Sequence, residues 1–299
     1  MPLPPIPQKK IVESVIAAAL FAVGRNVKGN ALKIAVVAPS CTLSRAAADT
    51  VQAMVDARGD CEIVFHPQCF FTHGHFAGTD KERLAALREV MDEPSYDAIW
   101  FARGGYGSNR IAEAAVQDMP EAARFKSYIG YSDAGFLHAA LHKSGMEAVW
   151  GPMPADVGRQ GGEAAVSRSL DWIVHHDSQA LEPGLKGPAM AFNLTVLGSL
   201  LGTVLEPDLT GVDLLIEDVS EHHYRIDRTL FHVTGSPNVR KVAQLRLGRV
   251  GDIPKNDPDF GRDEVAIVEE WCKRAGIPFG GRADIGHDVQ NRVVPFLRD

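Results

Sequence analysis

No segment of this chain supplies the roughly 20 consecutive apolar residues that a membrane-spanning helix needs. The longest apolar run, VIAAALFAV at 15–23, is too short. Cysteine is scarce. Cys41, Cys61, Cys69 and Cys272 show no CxxC or zinc-finger spacing, so they read as reduced thiols of a cytoplasmic protein rather than a disulfide framework. Basic charge is not in excess either: 31 Lys and Arg stand against 38 Asp and Glu, a net charge of −7. That argues against nucleic acid as the main partner. There is no GxGxxG, no GK[ST], no internal repeat and no low-complexity tract. Apolar residues at 45% and charged residues at 23% are ordinary globular values. At the N-terminus, Lys9 and Lys10 precede the apolar run in the manner of an export signal. Glu13 interrupts the approach, however, and no small-x-small cleavage site follows. The segment reads as an amphipathic helix within an N-terminal extension, 1–30.

From Leu32 onward, strand and helix signals alternate. LKIAVVAP at 32–39 is a continuous apolar run closed by proline, as expected of a strand buried on both faces. Strands are expected again at CEIVFHP (61–67), DAIWFA (97–102), SYIGY (127–131) and AVWG (148–151). Between them lie helical patterns opened by Ser44 and by Thr79-Asp80, then IAEAAVQDM (111–119) and FLHAALHKSG (136–145). This alternation predicts an α/β protein whose N-terminal domain, 31–165, is a flavodoxin-like parallel sheet with flanking helices. Gly, Pro and polar residues enrich 157–190, and 166–190 is expected to be a linker. The remainder, 191–299, reads as a smaller C-terminal α/β domain. Its expected elements are a helix at 192–203, a strand at 212–218, a helix at 224–233, a strand at 242–248, a helix at 264–276 and a short strand at 293–296.

Sites in such sheets lie beyond the C-terminal ends of the strands. ARGGYGSNR (102–110) falls there: a strand, a turn with Gly104, Gly105 and Gly107, then Ser108 and a helix. Glycine permits positive φ and close backbone approach, so Ser108 could stand exposed as a nucleophile. It could equally cap the helix, or the loop could cradle a phosphate, although the lysine and spacing of a P-loop are missing. GYSDAGF (130–136) is a rival at the end of the next strand. There Ser132 reads as a weaker candidate, while Asp133 suits either an N-cap or a substrate amine. Glu217 closes the apolar strand VDLLI, where a carboxylate needs a partner; orienting a histidine and bonding a loop are both open. His73 and His75, His175 and His176, and His222 and His223 lack metal-ligand partners at suitable spacing and read as surface or loop residues. His287, after Gly286 and just before the last apolar strand, stands apart from these pairs.

Taken together, these segments resemble the LD-carboxypeptidases, serine peptidases of peptidoglycan recycling, and the related microcin immunity peptidases. The resemblance is carried by IAVVAPS (34–40), AGTDKERLAAL (77–87), ARGGYGSNRI (102–111), IGYSDAGFLHAAL (129–141) and VWGPM (149–153). It continues through NLTVLGSLLGT (193–203), LLIEDVSEHHYRIDR (214–228) and GHDVQNRVVPF (286–296). The extension 1–30, the segment GRVGDIPKNDPDFGRDEV (248–265) and the PFGGRADIGHDVQNR stretch depart from the family's pattern. The resemblance implies a cytoplasmic homodimer without metal or organic cofactor, acting on murein tetrapeptides, with no nucleic-acid or membrane partner. It implies Ser108 as nucleophile, Glu217 as orienting carboxylate and His287 as base. Gly105, Gly107 and Asn109 are then expected around the oxyanion, with Arg103 and Asp133 near the substrate.

Overall fold

The computed structural model describes residues 31–296, so the expected N-terminal helix lies outside the described residues. The first sheet contains β1 (Leu32–Val37), β2 (Cys61–Phe65), β3 (Ala98–Phe101), β4 (Ser127–Gly130) and β5 (Glu147–Trp150). These run parallel, and β10 (Val294–Pro295) joins antiparallel to β5, giving the order β10-β5-β4-β3-β1-β2. The apolar run of β1 feeds both faces. Ala35 and Val37 enter one core with Leu87, Met91 and Phe101, while Ile34 and Val36 enter the other with Val51, Val55 and Trp100. Two-residue periodicity with both faces covered is what such an uninterrupted run encodes.

The helices begin where their caps direct. Ser44 Oγ accepts from the Ala47 N–H to start α1 (Arg45–Arg58). Thr79 and Glu82 form a reciprocal capping box at α2 (Asp80–Asp92). Two short connections then carry the site. Between β3 and α3 (Asn109–Ala115) runs the GGYG turn. Between β4 and α4 (Gly135–Lys143) lies a single 3₁₀ turn, Ser132–Ala134.

The segment expected to be a linker, 166–190, begins inside α5 (Gly162–His175). Its Val166, Leu170, Trp172 and Ile173 are buried against the first sheet. Its Gly-rich approach masks an apolar stripe at helical spacing, and that stripe decides the outcome. The connection is therefore part of the first layer's packing.

The second sheet is parallel throughout, in the order β6-β7-β8-β9: β6 (Ala189–Asn193), β7 (Asp213–Val219), β8 (Gln244–Gly251) and β9 (Phe279–Arg282). Residues 192–203, expected as one helix, divide between the end of β6 and α6 (Leu194–Leu200). Five buried residues, AMAFN, make the strand, and Asn193 Oδ1 then caps the helix through the Val196 N–H at 3.1 Å. Two further helices, α7 (His223–Gly235) and α8 (Glu264–Ala275), complete this half. One apolar core continues between the halves through Phe136, Phe192 and Phe296, so β10, paired to β5, fastens the second half onto the first.

Candidate active site

Ser132 follows β4 directly and holds a left-handed backbone, φ 61°. Only a few per cent of non-glycine residues do so, mostly Asn and Asp, and such strain clusters at functional sites. The conformation is the sharp strand-to-helix bend that lifts a serine hydroxyl to the end of a sheet. Half-buried Ser132 presents Oγ to His287, whose Nε2 lies 2.9 Å away. The other ring nitrogen, Nδ1, is 2.6 Å from Glu217 Oε2. An ionised carboxylate only accepts, so Nδ1 carries the proton and Nε2 is left to accept the Ser132 O–H.

Glu217 reaches this position from β7, where the register with β8 shifts between Ile216 and Asp218. It is fully buried, and its Oε1 accepts from Asn193 Nδ2 at 3.3 Å. Asn193 thereby links the cap of α6 to the carboxylate. Adjacent Asp218 accepts from the same amide at 2.9 Å and from the Thr195 hydroxyl at 2.9 Å. Burial raises the Glu217 pKa, opposed by the charge and hydrogen bond of His287. For His287, burial is the largest influence and pushes the imidazole down. The Glu217 charge and hydrogen bond outweigh it, so the net shift is upward.

The structure does not bring Ser108 to His287. Ser108 is fully buried at the start of α3, and its Oγ donates to the Asp133 carbonyl. The expectation of an exposed serine at 108 is therefore corrected: the structure buries Ser108, and the serine it sets against His287 is Ser132. Both serines follow a strand and precede a helix, and the local signal cannot separate them. Asp133 is corrected as well. Its Oδ2 accepts from the Ser108 N–H at 2.8 Å and from the Ser40 hydroxyl, and it is buried, so it braces the two loops and does not face a substrate amine. Burial raises its pKa, with the Ser40 and Ser108 bonds opposing.

Of the GGYG turn, Gly104 is the residue against Ser132. A methyl placed on its Cα would lie 3.0 Å from both Cβ and Oγ of Ser132. Gly105, with φ 109°, abuts Cys41 Sγ instead, and Gly107, with φ 134°, abuts Phe76 and Arg83. Arg83 is buried and braces the turn by donating to the Gly107 carbonyl at 2.8 Å. The Asn109 amide reaches the Tyr106 hydroxyl at 3.5 Å, and exposed Arg103 donates to the Thr42 carbonyl at 3.2 Å. Neither side chain is bonded to Ser132, His287 or Glu217. Gly104→Ala should therefore crowd the serine while leaving its neighbours in place. We expect turnover to fall by about tenfold, less than the roughly 10²-fold of a 1 Å misplacement because the serine need shift only slightly, with little loss of thermal stability. Kinetics and a melting curve on one preparation check this.

Sequence reasoning named His287 and Glu217 but ranked Ser132 second. The strand–serine–helix signal is present at Ser132 as at Ser108: Gly130 ends an apolar strand, the serine follows two residues later, and Gly135 opens the helix. Arg159 and Tyr131 were missed. The Tyr131 ring packs 4.9 Å from the His287 ring, and Arg159 Nη1 donates to the His287 carbonyl. Among the described residues, no group of three or more His, Cys, Asp or Glu side chains could hold a metal ion, and no helix is long and apolar enough to cross a membrane.

Known proteins share this architecture. Residues 34–151 match the LD-carboxypeptidase N-terminal domain and 186–298 match the LD-carboxypeptidase C-terminal domain. A murein tetrapeptide carboxypeptidase of Pseudomonas aeruginosa is 28% identical over 88% of this chain and 91% of its own. A probable murein peptide carboxypeptidase of Bacillus subtilis is 32% identical over 75% of this chain and 74% of its own. Among solved structures, muramoyltetrapeptide carboxypeptidase from Oxalobacter formigenes superposes with a TM-score of 0.74 at 25% identity, covering 88% of this chain and 92% of that one. A microcin C7 self-immunity protein shares the fold at a TM-score of 0.70 and 18% identity, covering 90% and 96%. With both domain models matched in order across most of its length, this chain belongs to the LD-carboxypeptidase family.

Proposed function

We propose that this peptidase-family protein is a serine-type LD-carboxypeptidase that removes terminal D-alanine from murein tetrapeptides during peptidoglycan recycling. The reading has it act in the cytoplasm, as a homodimer. The observation that carries the mechanism is the continuous line Ser132 Oγ–His287 Nε2–His287 Nδ1–Glu217, with Ser132 held at positive φ. The murein substrate is supported by what the relatives are named for.

In this mechanism His287 takes the Ser132 proton as Oγ attacks the carbonyl carbon of the diamino acid–D-alanine bond. Glu217 holds the reactive tautomer and stabilises the imidazolium that forms. The developing oxyanion is met by backbone N–H groups: that of Asp133, the residue after the serine, and those of the Gly104-Gly105 turn against it. His287 then returns its proton to the leaving amine nitrogen, and D-alanine departs. Water, deprotonated by the same imidazole, cleaves the acyl-serine ester and regenerates the hydroxyl. Purified protein incubated with disaccharide-tetrapeptide should release one D-alanine, read by mass. A substrate left intact while other amides are cleaved would overturn the substrate assignment.

As the base, His287 must be neutral, so kcat/KM falls as it takes up a proton. Because Glu217 outweighs burial and shifts this imidazole upward, the acid limb should lie above the value near 6.5 of a free histidine. A pH–rate profile with its acid midpoint below that of free imidazole would remove His287 from the base role.

A further inference from the structure

The segment joining the two family domains, 152–185, matches neither domain model, yet it seats the loop that carries His287. Arg168 of α5 donates to the Val289 carbonyl at 3.1 Å and to the Asn291 carbonyl at 2.7 Å. Glu182 accepts from the Asp284 N–H at 3.2 Å. Elsewhere on the loop, Arg249 of β8 pairs with Asp284 and Asp288, and Asn291 Oδ1 accepts from Trp150 Nε1 and from the Gly286 N–H. All of these holds act on residues flanking the histidine. Among the described residues, Arg159 alone bonds the His287 main chain itself, through its carbonyl.

Arg159 is anchored by a second partner. It follows the 3₁₀ turn Pro154–Gly158, and its Nε donates to Asp156 Oδ1 at 3.1 Å. The Asp156 carboxylate is buried and also accepts from the Tyr131 hydroxyl at 2.8 Å and the Met153 N–H at 2.8 Å. Tyr131 precedes the serine and packs its ring, tilted, against the histidine. One network thus joins the residue before Ser132 to the backbone of His287, across the boundary between the two halves. We infer that Arg159 is a positioning residue for His287, setting the imidazole in register with Ser132.

This inference rests on the Ser132–His287 reading and adds a residue outside the Ser132–His287–Glu217 line. The groups facing His287 are Glu217 and Asp218 from β7, Tyr131 and Ser132 from the elbow, Arg159 with Asp156 from the connection, and Asp288 beside it on its own loop. Of these, Arg159 is the nearby cation that disfavours the imidazolium, against Glu217 and Asp218, which favour it. Removing its charge therefore moves the acid limb to higher pH.

The test uses the full chain and its R159Q and R159K variants. It measures kcat and KM on disaccharide-tetrapeptide, the rate of serine labelling by a fluorophosphonate across pH, and thermal stability. For R159Q we expect kcat and the labelling rate to fall together by about 10²-fold, the scale of a misplaced catalytic group. KM should stay within about threefold, because the loss falls on the transition state, and the acid limb of labelling should rise in pH. R159K keeps the cation beside Asp156 but cannot satisfy Asp156 and the His287 carbonyl together. It should keep the wild-type acid limb and still lose about tenfold in kcat.

Wild-type kcat and labelling in R159Q overturn the inference, and so does a rise in KM with kcat unchanged, which would make Arg159 a substrate contact. If R159Q does not fold, R159K decides alone: a variant as fast as wild type in both measurements overturns it. Failure of the underlying reading looks different, because then the wild-type protein is neither labelled at Ser132 nor able to release D-alanine.

Discussion

Ser132→Ala should lose on the order of 10⁶-fold in kcat, the scale at which removing a triad nucleophile leaves only binding and oxyanion stabilisation. The variant should fold normally. The hydroxyl is half-buried, its hydrogen bond goes to His287, and alanine at φ 61° carries no more backbone strain than the serine it replaces. Fluorophosphonate labelling should vanish with the activity. Ser108→Ala is the matched control. Ser108 is buried and donates to the Asp133 carbonyl, which also accepts from the Gly135 N–H, so its loss removes one buried hydrogen bond and costs about 0.5–1.5 kcal/mol of stability. The line from Ser132 to Glu217 stays intact, and labelling at residue 132 should persist. The reverse pattern, with an inert Ser108→Ala and an active Ser132→Ala, would return the nucleophile to the GGYG turn. Peptide mapping of the labelled protein gives the same answer independently.

Glu217→Gln should lower kcat by about 10⁴-fold, the effect of turning the triad carboxylate of a serine protease into an amide. The side chain is fully buried, with one oxygen on His287 Nδ1 and the other accepting from Asn193. An amide in the same space can offer its N–H₂ to Nδ1, and the ring then flips to the tautomer in which Nε2 carries the proton. Nε2 can no longer accept from Ser132. The charge that favours the imidazolium also goes, so any residual activity should show its acid limb at lower pH than the parent enzyme. Binding of an uncleavable tetrapeptide analogue should hardly change, since the missing interaction develops with the imidazolium. A variant with lowered thermal stability and a near-normal kcat would reduce Glu217 to a tether between the ends of β6 and β7.

Much of this protein was legible in its linear order, because the relevant physics is local. Apolar runs such as IAVV and AIWF can only be buried on both faces, and they became central strands of the first sheet. Ser44, Thr79 and Gly276 marked helix ends because caps are satisfied within a few residues. A carboxylate closing a buried strand demanded a partner, which pointed to Glu217. His287 stood apart from the paired histidines, but its role as base came only from the resemblance to the LD-carboxypeptidases. The reading failed where two segments obeyed the same local rule. Ser108 and Ser132 both sit between strand and helix after glycine, and residue type cannot say which one faces an imidazole 155 positions away along the chain.

Packing alone made that choice. The two sheets place the ends of β4 and β7 against the loop before β10, and the GGYG turn is drawn inward by Arg83 and Asp133. Packing likewise turned an expected linker into a helix of the first layer, brought the chain's last strand back to β5, and set Arg159 against the His287 carbonyl. Capping and burial preferences act over a turn of helix or a few strand residues. The meeting of Ser132, His287 and Glu217 depends on how two sheets bury one continuous apolar core between them, a distance no short pattern in the sequence spans.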